Sequence, residues 1–236
     1  MTNESHATNG DQEMSAVARQ RAPRLQAEDR RAMILFEAAT LFAAHGFTAS
    51  TNDLADRMGV RKTLLYRYFS SKEGLIEEVL KAFLNTSWLS YFSDIVADRT
   101  IPLEERLIAS FTSMLETEQE KSLRLLIRSM LDGIELPQGF FNEFDKKLIL
   151  PIIIELRHIH NLTDIGSLPL MDSERELALG LYGSLFFYSI RRHIYKTKIC
   201  DDQTALIKMY VEQFLTGTSK SLVALHQSNA STERTP

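Results

Sequence analysis

The stretch GVRKTLLYRYFSSKEGL, which starts at Gly59, brings cationic and phenolic side chains together. Arginine and lysine suit the O6 and N7 acceptors of guanine, and a threonine methyl suits the methyl group of thymine. Tyrosine hydroxyls can hydrogen-bond to phosphates, and such contacts fix the register of a protein on DNA. The sequence therefore predicts base contacts from Arg61, Lys62 and Thr63, and phosphate contacts from Tyr66 and Tyr68.

Lys72 lies where a cation is unexpected. The run SSKE predicts a helix that begins with a capping box, with Ser70 as the N-cap and Glu73 at the N3 position. Lys72 then falls in the first helical turn, where a cation opposes the helix macrodipole. A phosphate bound at this N-terminus would satisfy both the lysine and the free amides. Thr51 and Asn52, at the start of an earlier helix, are further candidates for phosphate contacts.

A helix-turn-helix pair over 51–70 would position these side chains. Two closely crossing helices need a small residue, which Ala55 supplies, and the turn needs a residue that tolerates positive φ, which Gly59 supplies. The apolar residues expected to hold the pair together are Leu54, Met58, Val60 and Leu65. The second helix would enter the major groove by its N-terminal residues.

Three consecutive segments resemble the DNA-binding domain of the tetracycline-repressor (TetR) family over about 28–80. They read FEAAxxFxxxGF from Phe36, DLAxxxGV from Asp53 and LYxYFxxKExL from Leu65. The resemblance implies an all-helical protein, usually of nine helices, that binds a near-palindromic operator as a homodimer. It also implies a repressor that a small ligand, bound in a larger C-terminal domain, releases from DNA.

The base-reading segment departs from the family pattern. Leu64 stands where the family commonly has a threonine that contacts DNA, and the loop between Gly46 and Leu54 is one residue shorter than usual. The operator sequence of a relative therefore does not transfer to this chain.

The remaining chain also reads as helical, so we predict an all-α fold of about nine helices. Helices are expected over 30–45, 51–58, 62–69, 70–95, 102–117, 120–133, 138–160 with a kink at Pro151, 172–196 and 202–225. The expected organisation is a disordered arm over 1–24, a helix-turn-helix domain over 25–75, a ligand-binding and dimerisation domain over 76–225, and a disordered tail over 226–236.

Two late helices carry the features of a dimer interface. The helix over 172–194 is apolar on nearly all sides, and such a helix must be covered on more than one side. Glycines within it make a narrow face that a second helix can approach. We predict a two-fold interface that includes Leu179, Gly180, Gly183, Phe187, Met209 and Phe214.

Aromatic and methionine side chains could line an apolar cavity for the effector, although each alone is as well explained as core. They are Trp88, Phe92, Phe111, Met114, Met130, Phe140, Phe141 and Phe144. The expected effector is an unknown, largely apolar small molecule. Glu155 and His158 have the spacing of a helical metal-ligand pair, but no second such unit is present, so neither a metal nor a cofactor is expected.

Charge and composition limit the class of protein. The chain of 236 residues has a net charge of −4, whereas residues 17–81 carry 11 basic and 8 acidic side chains. A phosphate backbone responds to such local charge, since the Debye length is about 8 Å. The single cysteine excludes a disulfide within the chain, and no apolar run reaches the length of a membrane span. These features predict a cytoplasmic protein with no membrane partner.

A ligand-responsive DNA-binding regulator is the function these features favour. An enzyme is disfavoured because the sequence has no glycine-rich phosphate loop and no nucleophile elbow. Two alternatives stay open: a helical module that uses the helix-turn-helix against a protein, and a regulator that binds DNA without responding to a ligand.

Overall fold

The computed structural model describes residues 27–84 and 86–232, without the side chains of the last four, and this part of the chain is entirely helical apart from its turns. The arm expected over 1–24 lies outside the described residues. The elements are α1 (Ala27–His45), α2 (Thr51–Met58), α3 (Lys62–Leu65), α4 (Lys72–Phe83), α5 (Ser87–Ala97), α6 (Leu103–Thr117), α7 (Glu120–Leu131), α8 (Phe140–Phe144), α9 (Leu150–Ile159), α10 (Asp172–Ser189) and α11 (Gln203–Thr232).

Helix α2 begins at a serine cap and ends at the glycine that the sequence predicts for the turn. Ser50 is the N-cap: its hydroxyl accepts a hydrogen bond from the Asp53 amide, and the Asp53 carboxylate accepts one from the Ser50 amide. Gly59 ends the helix with φ of 63°. A Cβ at Gly59 would meet nothing within 4 Å, so the glycine is required by its left-handed backbone and not by lack of space.

Three helix boundaries near the turn region differ from the prediction. Helix α3 ends at Leu65 instead of Phe69, and the chain continues in turns. Ser71, and not Ser70, caps α4, with its hydroxyl 3.0 Å from the Gly74 amide. Because glycine then occupies N3, α4 has no capping box. The helix expected to reach about Ile95 is two helices, α4 and α5.

Wide helical turns interrupt the second half of the chain. A π-helical turn over Asp145–Ile149 joins α8 to α9, and Pro151 follows in the first turn of α9, where its missing amide hydrogen is tolerated. A second π-helical turn, Ile190–Tyr195, continues α10. Helix α11 runs to Thr232, so the tail expected from 226 is wrong for 226–232.

The buried apolar residues form two clusters. One contains α1 to α4 and reaches Leu84, and it also includes Leu125 of α7. The other lies among α5, α6, α9, α10 and α11. The domain boundary expected between 75 and 76 therefore falls inside the first cluster, because α4 packs against both α1 and α7.

Two buried ion clusters hold the larger bundle together. Glu155 of α9 bonds to Arg99 and Arg106, with Arg106 Nη1 2.8 Å from Glu155 Oε2. Glu174 of α10 bonds to Arg157 of α9 and lies 2.9 Å from His226 Nε2 of α11. None of the helices in the described part of the chain has both the length and the apolar character that crossing a membrane requires.

Candidate nucleic-acid interface

The three predicted base-contacting residues lie together on the outer side of α3. Arg61 is the N-cap of α3 and makes no capping bond with its side chain, and Lys62 and Thr63 follow it in the first turn. All three are exposed, whereas Leu65, on the opposite side, is buried in the N-terminal cluster. The fold thus places the pattern RKT at the solvent-facing start of the second helix of the pair.

Tyr66 is held in place by a residue of α2. Its side chain is 42% exposed, and its hydroxyl lies 3.2 Å from Thr51 Oγ1. Thr51 itself is only 6% exposed. The Thr51 side chain is therefore little exposed to a phosphate, and its hydroxyl is placed to orient the Tyr66 hydroxyl from behind.

Of the other candidates for phosphate contacts, Asn52 is exposed in the first turn of α2. Tyr68 is half-buried and packs against the N-terminal cluster. Lys72 is half-buried at the first position of α4. In the next residue, Glu73, hydrogen bonds from the Glu73 backbone amide and from Ser71 lower the pKa of the side-chain carboxyl. Glu73 and Ser71 thus already occupy two of the amides at this helix N-terminus.

The basic residues of this domain divide into paired and unpaired sets. Arg31 bonds to Glu78 and Arg57 bonds to Glu37, each at 2.8 Å, and these pairs tie α1 to α4 and to α2. The cations around α3 enter no salt bridge with any described residue, and they are Arg61, Lys62, Arg67 and Lys72. Positive charge therefore remains available on the α3 side of the domain.

The residues predicted to hold the helix pair together are placed as their types require. Leu54, Ala55 and Leu65 are buried, and Val60 packs against the same cluster from a half-buried position. The Val60 amide donates to the Ala55 carbonyl at 3.0 Å across the turn at Gly59. This closure fixes where α3 begins relative to α2.

A cavity of about 1010 Å³ is lined by α4 to α8 and α10, between the N-terminal cluster and the larger bundle. Six of the eight predicted lining residues do line it, and they are Trp88, Met114, Met130, Phe140, Phe141 and Phe144. Phe92 and Phe111 do not: they are fully buried in the core and pack edge to face with centroids 5.0 Å apart.

Sequence reasoning missed lining residues on α10. Tyr182 packs against Phe144 with ring centroids 4.7 Å apart and stacks on Phe186 at 5.6 Å. Burial, and then the nearby charge of Glu118, raise the pKa of Tyr182. The signal in the sequence is the i, i+4 spacing of Tyr182 and Phe186, which places both rings on one side of α10. The prediction of a dimer interface on this helix did not make use of it.

The cavity wall also carries a few polar groups. Arg175 of α10 forms an ion pair with Asp145 of the π-helical turn, and both line the cavity. Glu118 lines it as well, and burial raises the pKa of this carboxyl. The rest of the lining is mostly apolar, so the cavity suits a large apolar molecule with limited polar functionality.

The predicted interface residues fall into two groups. Phe187 and Met209 are 50% and 51% exposed, and added Cβ atoms at Gly180 and Gly183 would meet nothing within 4 Å. These four are open to a partner. The other two are less open in the protomer: Leu179 lines the cavity, and Phe214, 8% exposed, packs in the core of its own protomer.

The possible metal pair is not assembled. Both carboxylate oxygens of Glu155 accept hydrogen bonds from arginines, and His158 is exposed. Among the described residues there is no group of three or more side chains that could hold a metal ion.

Residues 34–79 match the sequence model of a family described as bacterial regulatory proteins, tetR family. Over 104 residues the chain is 38% identical to HTH-type transcriptional repressor KstR2 of Mycolicibacterium smegmatis, covering 43% of this chain and 49% of that one. It is 39% identical over 67 residues to HTH-type transcriptional activator FasR of the same organism, covering 28% of this chain and 31% of that one. The chain thus spans about half the length of the KstR2 relatives it matches.

The fold extends the likeness beyond the N-terminal domain. A TetR-family transcriptional regulator from Bordetella parapertussis superposes with a TM-score of 0.58 over 80% of this chain and 95% of that one, at 21% identity. At that identity the likeness concerns the fold. The chain is therefore similar to the tetR family in sequence over residues 34–79, and it resembles a member of that family in fold over most of its length.

Proposed function

We propose that this protein is a transcriptional regulator, and specifically a repressor, that binds a near-palindromic DNA operator as a homodimer. The observation that carries the proposal is the outward face of α3, where Arg61, Lys62 and Thr63 are exposed and the cations are free of salt bridges with described residues. Arg67 and Lys72, which also form no salt bridge with a described residue, add to this positive charge. The KstR2 relatives, named as repressors, support the sign of regulation.

The homodimer would use the open face of α10 and α11. Gly180 and Gly183 let a second helix approach closely, and Phe187 and Met209 would lose their exposure there. An isologous interface of this kind gives two copies of α3 related by a two-fold axis. Such a pair would read two half-sites of one operator.

The effector would be a large, mostly apolar small molecule bound in the cavity of about 1010 Å³. Release from DNA requires that it bind the free conformation more tightly than the DNA-bound one. A thermal-shift screen of apolar compounds would test this part. A true effector should raise the melting temperature of the protein and lose that effect in Leu179→Trp, which fills the cavity from the α10 wall.

DNA binding itself is tested by the salt dependence of affinity for a duplex, followed by fluorescence anisotropy. The logarithm of the association constant should fall linearly with the logarithm of salt concentration. Lys72→Ala should reduce that slope by about 1, because it removes one phosphate contact. Lys81→Ala is the matched control on the same helix, since Lys81 is paired with Glu77 at 2.6 Å. An identical slope in all three proteins would contradict the role of Lys72.

A further inference from the structure

Helix α7 forms a wall between the cavity and the helix-turn-helix domain. The α7 residues that meet α1 recur at intervals of four, three and four positions, which is one face of a helix. They are Lys121, Leu125, Arg128 and Asp132, the last being the C-cap. Lys121 Nζ lies 3.4 Å from the centroid of the Phe36 ring, and Leu125 is fully buried in the N-terminal cluster.

Arg128 and Asp132, here called the α7 clamp, form hydrogen bonds with the C-terminal end of α1 and with the turn that follows it. Arg128 donates from Nε to the Ala43 carbonyl at 3.0 Å and from Nη2 to the Ala44 carbonyl at 2.9 Å. Asp132 Oδ2 accepts from the Phe47 amide at 3.4 Å. Carbonyls at a helix C-terminus have no partner within the helix, so a guanidinium there satisfies them and complements the helix dipole.

Gly46, in the turn that follows α1, is fitted to the clamp. Its φ is 80°, and a Cβ at this position would lie 3.1 Å from Arg128 Nη1 and 3.4 Å from Asp132 Oδ2. Glycine at this position therefore allows both the left-handed backbone of the turn and the close contact of the turn with Arg128 and Asp132. Four residues later, Ser50 caps α2, so the clamp holds the segment from which the helix-turn-helix pair starts.

An adjacent face of α7 belongs to the cavity. The lining residues contributed by α7 and its N-cap are Gln119, Ser122, Leu123, Leu126 and Met130. Ser122 and Leu126 each follow a residue of the α1-facing set, so the two faces are separated by about 100° around the helix axis. A molecule that presses on one face must move the other, because an α-helix of this length behaves as a rigid unit.

We propose that Arg128 and Asp132 are positioning residues that make the orientation of the α2–α3 pair depend on what fills the cavity. The clamp converts a shift of α7 into a shift of the α1–α2 turn, a small displacement of packed helices at an interface. This inference rests on the proposed function for its consequence, the change in DNA affinity. The mechanical link itself concerns only the cavity and the turn.

The experiment uses Ser122→Trp in the full chain as a built-in occupant of the cavity. Hydrogen exchange of the segment 46–50 reads the link without DNA, and affinity for a duplex enriched from a random pool reads its consequence. With the clamp intact, Ser122→Trp should change both readouts by at least about fivefold. In the Arg128→Ala, Asp132→Ala background the same substitution should change each by less than about twofold.

Arg124→Ala is the matched control, because Arg124 is on the same helix but bonds to Glu120 and to the His193 carbonyl. It should leave the response to Ser122→Trp intact. Equal responses with and without the clamp, or no response of 46–50 in either background, would overturn the inference. If segment 46–50 responds but the protein binds no DNA, the link between the cavity and the turn stands and the proposed function fails. If Ser122→Trp does not fold, Leu126→Trp takes its place.

Discussion

At the scale of single residues, the exposed side of α3 carries two kinds of side chain. Some are proposed to contact base edges, and others are proposed to contact the DNA backbone from a fixed position. Arg61 and Lys62 are exposed at the start of α3 and form no salt bridge with a described residue, whereas the Tyr66 hydroxyl lies 3.2 Å from Thr51 Oγ1. Side chains of the first kind can discriminate base edges, and those of the second kind can fix register on the backbone. Substitutions in the two groups should therefore have different signatures.

Arg61→Ala should relax the preference at particular base pairs. A good bidentate arginine contact with guanine discriminates by about 1–3 kcal/mol, so one or two positions of the selected site should lose that much. Competition between single-base variants of the duplex measures it. Tyr66→Phe serves as the comparison, because it should weaken all variants alike. An unchanged preference in Arg61→Ala would remove this residue from the base-reading set.

Thr51→Val should weaken binding to every duplex, because it removes the oxygen that orients the Tyr66 hydroxyl at 3.2 Å while keeping the side-chain shape. Combined with Tyr66→Phe, it should cause little further loss, since the two residues act as one unit. Anisotropy titrations of the two single variants and the double variant complete the cycle. Fully additive losses would contradict the supporting role of Thr51.

Gly59→Ala should destabilise the protein by about 1–2 kcal/mol, because alanine is strained in the left-handed conformation. The φ of 63° is the only obstacle, since a Cβ there would meet nothing within 4 Å. Gly59→Asn is the control and should lose less, because asparagine tolerates this region. Urea denaturation monitored by circular dichroism decides between them, and equal losses would point to a packing cause instead.

At the scale of elements, the sequence is sufficient to predict helix limits and burial where local residue types determine them. The limits of α2 follow from Ser50 and Gly59, and the burial of Ala55 and Leu65 follows from their spacing. The sequence is insufficient where two neighbouring residues could play the same structural role. Ser70 and Ser71 can both cap α4, and only the fold selects Ser71.

The larger bundle was harder to read because its helices are apolar on several faces. Leu179 and Phe214 have the residue types of an interface, but helix rotation turns one to the cavity and the other to the core. For the same reason Phe92 and Phe111 fill the core behind Trp88 instead of lining the cavity. Such choices depend on helix orientation, which residue spacing alone does not fix when most faces are apolar.

The contact of α9, α10 and α11 at Glu174 should make stability depend on pH. Burial raises the pKa of Glu174, but hydrogen bonds from Arg157, from the Met171 amide and from His226 outweigh it, so its pKa lies below the usual range. A folded pKa below the unfolded value of about 4.3 means that the stabilisation is present above that pH and is lost as pH falls toward the folded pKa.

Urea denaturation from pH 7 down to about pH 3.5 measures this loss, and Glu174→Gln isolates it. The variant should be less stable than the parent at neutral pH, because Arg157 loses its ionic partner. The difference between the two proteins should shrink as the pH falls, since other carboxylates contribute equally to both. A difference that stays constant over this range would show that ionised Glu174 is not the source.

At the scale of the whole molecule, the proposed homodimer sets the geometry of DNA recognition. Phe187→Glu combined with Met209→Glu should give a folded monomer, because both side chains are half exposed in the protomer and charges at an apolar interface oppose association. Leu131→Glu is the control: Leu131 is 79% exposed on α7 and should leave the dimer intact. Sedimentation equilibrium reports the mass, and a dimer that survives the double substitution would place the interface elsewhere.

In the proposed homodimer, two copies of α3 read two related half-sites on DNA. Selection of binding sites from a random duplex pool at about 150 mM salt, where non-specific phosphate contacts are weak, tests it most directly. We expect a two-fold symmetric consensus whose strongest positions weaken in Arg61→Ala. Failure of the folded protein to enrich any sequence would contradict it.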